Sequence, residues 1–232
     1  MTTLAMLLGL MVLIPTPVDV LILQFPAKSK VSLPLGGKSK ADIQRLATTT
    51  KAVIKVEGLQ SPQSVRAGMN TYVAWAVSPE GSFDNLGELE IVGAKGSLEA
   101  TTPFDRFALL ITAEPHYLVD KPSSQIVFRN EEPRNLSGVT IKIEVGSYEY
   151  GSLPGSTDTV PTLVLEARAA FAIAAAVQMD SQDSEYRQAR VALDTMEELI
   201  RRASANDVVS AAAHAAIRRS QRAAVAARQS PQ

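Results

Sequence analysis

The chain contains no cysteine. That absence excludes disulfide bonds, thiolate metal ligands, cysteine nucleophiles and a lipidated cysteine of the lipoprotein type. Aromatic residues make up only 5% of the sequence, so neither a base-stacking platform nor an aromatic sugar-binding groove is indicated. Lys and Arg number 23 against 24 Asp and Glu, and the two signs are intermixed. Without a basic excess, we expect no nucleic-acid partner.

Long apolar runs are also scarce, and the longest one lies at the N-terminus, from Leu4 to Ile14. A membrane span needs about 20 residues, so this run suits the hydrophobic core of a secretory signal better. No Lys or Arg precedes it and no clean A-x-A cleavage site follows it, whereas extension to Phe25 reaches span length. We expect residues 1–25 to be a signal peptide or a retained anchor, with a buried apolar segment as the third alternative.

Residues 26–50 are polar and contain several Pro, Gly, Lys and Thr residues, which predicts a polar connector. Within it, the stretch PLGGKS resembles a phosphate-binding loop superficially. The motif requires a glycine five residues before its Gly-Lys, and Ser32 stands there instead. We therefore expect a glycine turn with solvated lysines.

From residue 51 to residue 146, apolar and polar residues alternate in short runs separated by turn residues. The clearest run is 139–145, where Val and Ile alternate with Thr, Lys and Glu. Seven such runs at hairpin-like spacing predict an antiparallel sandwich of immunoglobulin-like type. Trp75, the only tryptophan, lies in the middle of one run, and we expect it to fill the core between the two sheets.

The residue pattern changes from strand-type alternation to helical spacing near residue 160, after a Gly/Ser/Pro/Thr-rich linker at 147–160. Residues 161–229 are rich in Ala, Arg and Glu at helical spacing, which predicts a helical hairpin or a three-helix bundle. The fold class is therefore α+β with segregated halves. The last helix has a mostly Ala stripe that buries little area, so we expect it to be the least stable part or to be completed by a partner, including a second copy.

The stretch TYVAWAVSPEGSFDNLGELEI, from Thr71 to Ile91, resembles the β-domain of envelope proteins in acidobacteria and related bacteria. There the domain precedes a helical region and often a peptidoglycan-binding domain of the OmpA type. A similar pattern occurs in the extracytoplasmic domain of anti-sigma-K-type factors. The tail after Pro161 is similar to an Ala-rich helical domain of unknown function in bacterial envelope lipoproteins. Neither resemblance implies catalytic residues or a cofactor.

The sequence offers few candidate catalytic or metal-ligating residues. The two histidines, His116 and His214, are far apart in sequence, and a site pairing His116 with Glu114 or Asp120 would lack a third strong ligand. No serine sits in a G-x-S-x-G elbow. We expect no enzyme activity, no metal and no cofactor. The one candidate surface is a basic stripe on the last helix, formed by Arg218, Arg219, Arg222 and Arg228.

That stripe could meet an acidic partner, an anionic wall polymer or a membrane surface, although arginine stems covering an Ala-rich helix explain it as well. The sequence thus predicts a non-enzymatic, exported protein of the periplasm or cell envelope. It would bind a protein, peptidoglycan or another anionic envelope polymer, and would touch a membrane only through a retained N-terminal segment. The alternative is the extracytoplasmic sensory domain of a membrane-anchored anti-sigma-like regulator, although only three residues precede the apolar run.

Overall fold

The computed structural model describes residues 16–33, 38–131, 137–146, 153, 160–177 and 182–229. The apolar run from Leu4 to Ile14 lies outside these residues, as does most of the predicted linker at 147–160. The described part is α+β, with two antiparallel sheets followed by a C-terminal helical part. None of its helices is long and apolar enough to cross a membrane.

Eleven strands and four helices form the described structure. The strands are β1 (Thr16–Gln24), β2 (Lys28–Ser32), β3 (Lys40–Arg45), β4 (Thr50–Glu57), β5 (Thr71–Val77), β6 (Phe83–Glu88), β7 (Glu90–Val92), β8 (Lys95–Thr102), β9 (Arg106–Glu114), β10 (Ile126–Arg129) and β11 (Gly138–Val145). The helices are the short α1 (Pro62–Val65), α2 (Thr162–Val177), α3 (Ser184–Arg201) and α4 (Asn206–Gln229).

The first sheet has the strand order β11-β1-β9-β5-β6, and β10 also pairs with β9. The second sheet has the order β2-β3-β4-β8-β7. The chain changes sheets between β6 and β7 at Leu89, which is 2% exposed and whose N–H donates to the Tyr72 carbonyl. The two sheets share one apolar core.

The described residues include part of the predicted N-terminal segment and of the polar connector. Residues 16–24 form β1, which pairs with β11 from Thr16↔Val145 to Leu23↔Gly138 and buries Val20, Ile22 and Leu23. These apolar residues therefore lie in the sheet core, which agrees with the third alternative, a buried apolar segment, for this part of residues 1–25. Residues 26–50, predicted as a polar connector, contain the strands β2 and β3.

Alternation of side chains explains why β2 and β3 of the second sheet were not predicted from this polar stretch. Ala41 and Ile43 of β3 point into the core, whereas Lys40 and Gln44 are exposed. A strand with one solvent-exposed face needs only two or three apolar residues. So short an alternation is difficult to recognise beside turn-forming residues. The stretch is polar in composition but strand-like in period.

At β5 the first sheet is buried on both faces, since all seven residues of that strand are buried. The face that carries Ala74 is directed toward the second sheet. Its cross-strand partner is Gly87, and a Cβ added to Gly87 would lie 3.7 Å from Leu98 of β8. Trp75 points the opposite way, since neighbouring residues of a strand alternate. It is 0% exposed. Trp75 is thus a core residue, but it lies on the outer face of the first sheet and not between the sheets.

In the helical part, α4 packs against both α2 and α3, which contact each other much less. The small-residue stripe of α4 is buried in this arrangement, including Ala213, Ala216, Ala223 and Ala224. The expectation of a partner completing α4 rested on an uncovered stripe. Helices α2 and α3 of the same chain contact α4, and completion of α4 by a partner stays a prediction.

Candidate functional site

The sheets and the helices meet at the segment that connects β9 to β10. This segment, residues 115–125, crosses the outer face of the first sheet, where the Asn85 side-chain amide donates to the carbonyls of Tyr117 and Val119 at 3.0 and 2.9 Å. From the helical side, Glu166 of α2 accepts the Tyr117 backbone N–H at 3.0 Å. We call this contact region the junction.

Helix α4 reaches the same segment at two points. The Tyr117 hydroxyl lies 2.8 Å from His214 Nδ1, and the two rings meet edge-on with centroids 5.6 Å apart. Near the end of the helix, Arg228 lies 3.6 Å from a carboxylate oxygen of Asp120. The segment therefore holds α2 and α4 through hydrogen bonds, an ion pair and apolar contacts.

The four arginines predicted as a basic stripe do not form one continuous free surface. Arg228 pairs with Asp120, and Arg219 donates to the Gln188 side chain of α3. Arg218 is hydrogen-bonded to Tyr117 and lowers its pKa, although burial is the larger effect and raises it. Arg222 is exposed. At least three of the four arginines thus contact the protein itself.

Two carboxyl groups face each other at the junction. Glu166, 1% exposed, hydrogen-bonds Glu88 of β6, and Glu88 in turn accepts from the Thr71 hydroxyl. Burial raises the pKa of Glu166 to about 9, and the neighbouring Glu88 adds to that increase. A hydrogen bond between two carboxyls requires a proton, so the pair holds one where an isolated carboxyl would be ionised.

A second buried acid lies beneath the segment. The Trp75 indole N–H donates to the Thr112 hydroxyl at 2.8 Å, and that hydroxyl donates to Glu114 Oε1 at 2.5 Å. The Ser123 backbone N–H donates to the same oxygen at 2.7 Å. Burial raises the pKa of Glu114 to about 8. The network ties the only tryptophan to the segment and is a structural use of the acid.

The histidines do not come together in a metal site. His116 is 1% exposed, and burial lowers its pKa to about 3, so it stays neutral. His214 instead contacts Tyr117. Within the described ranges, no group of three His, Asp or Glu side chains is placed to hold a metal ion.

A second candidate site lies on the outer side of the second sheet, away from the junction. We call it the lysine face. It carries seven lysines and four acidic side chains, a net charge of +3 in a chain whose net charge is −1. They are Lys28, Lys30, Lys38, Lys40, Lys51, Lys55, Lys95, Asp42, Glu57, Glu90 and Glu99.

Sequence reasoning missed the lysine face because it assigned most of these lysines to a connector. The alternation of polar and apolar residues did contain a signal. Lys28 and Lys30 are two residues apart in β2, and Lys55 lies between the buried Ile54 and Val56 of β4. Lysines spaced by two on adjacent strands share one face. Their convergence depends on strand register, which the sequence does not display.

Comparison of the chain with protein-family models, with curated proteins and with solved structures finds no match in any of the three. The resemblance to envelope β-domains therefore stays a prediction based on the residues between Thr71 and Ile91.

Proposed function

We propose that the protein is an exported, non-enzymatic protein of the bacterial cell envelope that works by binding a protein or a wall polymer. The lysine face is the observation that carries this proposal, because it is charged and open to solvent and the residues that line it lie outside the helices. The buried acids, by contrast, have internal partners: Glu166 binds Glu88 and a backbone N–H, and Glu114 accepts from Thr112 and Ser123 through Oε1.

Export is supported by the apolar run from Leu4 to Ile14 and by the resemblance of Thr71–Ile91 to envelope domains. Because β1 begins at Thr16 and pairs along its length with β11, cleavage inside residues 16–24 would remove a core strand. A cleaved form would therefore begin at or before Thr16.

We further propose that the two sheets are an immunoglobulin-like sandwich and that the helical part is a three-helix unit centred on α4. Antiparallel pairing throughout both sheets and the shared apolar core support the first statement. The burial of the α4 stripe against α2 and α3 supports the second. In this arrangement the helices brace the first sheet and leave the second sheet free.

Co-sedimentation tests the binding proposal. The purified full chain is incubated with the envelope fraction of the native host, before and after protease treatment of that fraction, and is then pelleted. We expect the protein to pellet with the untreated envelope. Retention after protease treatment identifies a polymer partner, and loss identifies a protein partner. A protein that stays in the supernatant in both cases contradicts the proposal.

A further inference from the structure

The lysine face places like charges directly opposite one another. Lys40 of β3 pairs in register with Lys55 of β4, and both side chains are exposed. Directly opposite residues have Cβ atoms about 4.5–5.5 Å apart, and like charges in such a pair are destabilising. Within the described part of the chain, neither lysine forms an ion pair, whereas Lys51 and Lys95 pair with Glu99 and Glu57.

Two grooves run over this face. One has a volume of about 610 Å³ and is lined by Lys38, Lys40, Lys55 and Lys95. The other has a volume of about 450 Å³ and is lined by Lys28, Lys30 and Lys51 with Val53. The second groove lies over β2, β3 and β4, and the first extends across β8 to β7, so together they span all five strands of the sheet.

The lysine spacing fits a repeating anion. Lys28 and Lys30 are two residues apart on one strand, which separates them by about 6.6 Å. Lys40 and Lys55 lie on adjacent strands, whose separation is about 4.8 Å. Several ammonium groups at this spacing can neutralise successive charges of one extended chain, which a single small anion cannot exploit.

We propose that the lysine face binds an extended phosphodiester polymer of the cell envelope. The lysine ammonium is a compact point charge that binds phosphate well without the planar fork of arginine. This inference deepens the proposed function, since it names the chemistry of the partner, and it rests on that function for the polymer's location. The helices contact the outer face of the first sheet, so they do not obstruct the site.

Two other polyanionic partners fit the face less well. A membrane is a continuous anionic plane, and Asp42, Glu90 and Glu99 would face it together with the lysines. A flexible polymer can follow the lysines and avoid these carboxylates. Proteins that bind single-stranded nucleic acid combine a positively charged groove with aromatic side chains on which the bases stack. The outward positions of the five described strands carry no aromatic residue.

The test uses the full chain and soluble poly(glycerol phosphate) as the probe, with affinity measured by calorimetry at 50 and 200 mM NaCl. We expect binding that weakens with salt, because each phosphate contact releases counterions. The double variant Lys40→Gln/Lys55→Gln should bind about tenfold more weakly. It should fold at least as well as the wild type, because the substitution removes a repulsive pair.

The control variant Lys121→Gln/Lys142→Gln removes the same charge from exposed positions outside the lysine face and should keep its affinity. Equal weakening in both double variants would overturn the inference, as would absence of binding at 50 mM NaCl. Equally tight binding of polygalacturonate, single-stranded DNA or anionic vesicles would also overturn it, in favour of that partner. If the wild type pellets with the envelope but ignores poly(glycerol phosphate), this inference fails while the proposed function stands.

Discussion

Glu166 of α2 hydrogen-bonds Glu88 of β6, so a pair of carboxyl groups joins the helical part to the first sheet. Glu166 is also fixed by the Tyr117 backbone N–H at 3.0 Å. Because the pair needs a proton to be attractive, the strength of the junction is coupled to pH. Ionisation of Glu166 would remove that proton and leave a negative charge at a buried position.

The first prediction concerns this pH dependence. The folded-state pKa values of Glu166 and Glu114 are about 9 and about 8, above the ordinary value of 4.5. The folded state therefore binds more protons than the unfolded state above pH 4.5, and the stabilisation is lost as pH rises toward the folded pKa values. Each carboxyl contributes a slope of at most about 1.4 kcal/mol per pH unit.

His116 has the opposite sign, since its pKa is lowered from 6.5 to about 3 and its contribution is lost as pH falls below 6.5. Urea unfolding between pH 7 and pH 8 therefore isolates the carboxyls. We expect the free energy of unfolding to fall over this range in the wild type and to fall less in Glu166→Gln. Glu144→Gln, at an exposed position of β11, serves as the matched control. A slope in Glu166→Gln as steep as that of the wild type would contradict the buried pair.

A second prediction follows from the chain of hydrogen bonds between Trp75, Thr112 and Glu114. Trp75→Phe removes the indole N–H and leaves a cavity, and we expect a loss of about 2–4 kcal/mol in the free energy of unfolding. Thr112→Val removes the central hydroxyl. A double-mutant cycle, measured by circular dichroism in urea, should give a coupling energy of about 1 kcal/mol between the two sites. Strict additivity would argue against their hydrogen bond.

The face of the sheet on which Trp75 lies could not be predicted from the sequence. Its position inside an apolar run is enough to predict burial, but both neighbours are apolar too, so the alternation that assigns a face is missing. The face that carries Trp75 depends on what packs against the outer side of the first sheet, and that is the irregular segment 115–125. Loops of this kind leave no periodic signal. The junction could not be predicted either, because contacting residues such as Tyr117 and His214 are 97 positions apart in the sequence.

The helical part was more predictable, because α2, α3 and α4 coincide with amphipathic patterns after Pro161. Their arrangement was not predictable, because an Ala stripe has the same appearance whether it faces a helix of its own chain or a partner. The arginines of α4 are likewise ambiguous in sequence. Only the structure pairs Arg228 with Asp120, from a segment more than a hundred residues earlier.

A third prediction tests whether residues 16–24 form a sheet strand. Gly138 pairs with Leu23 of β1, and a Cβ on it would lie 2.8 Å from the Ile22 carbonyl oxygen. Backbone atoms cannot move away cheaply, so Gly138→Ala should lower the free energy of unfolding by about 1–3 kcal/mol in urea titrations. The neighbouring Val139→Ala, at a 67% exposed side chain, should change it by only about 0.5 kcal/mol. Equal effects would indicate that β1 does not lie beside β11.

A fourth prediction concerns the contact between α2 and α3. Arg168 binds Glu197 through Nε at 2.8 Å and Nη2 at 3.0 Å, a two-point contact that lysine cannot reproduce. Arg168→Lys should therefore lower the thermal midpoint and cost about 0.5–1 kcal/mol. Arg201→Lys, with a 71% exposed side chain, is the control and should have little effect. Identical midpoints in the two variants would show that the two-point contact adds nothing to stability.

The most direct test of the account is the N-terminus and location of the protein in its native host, determined by mass spectrometry of fractionated cells. We expect the protein in the envelope fraction, beginning at or before Thr16 with β1 intact. An intact Met1 in the membrane fraction would favour a retained anchor and the anti-sigma-like alternative. An intact Met1 in the cytosolic fraction would contradict the proposal that this is an exported envelope-binding protein.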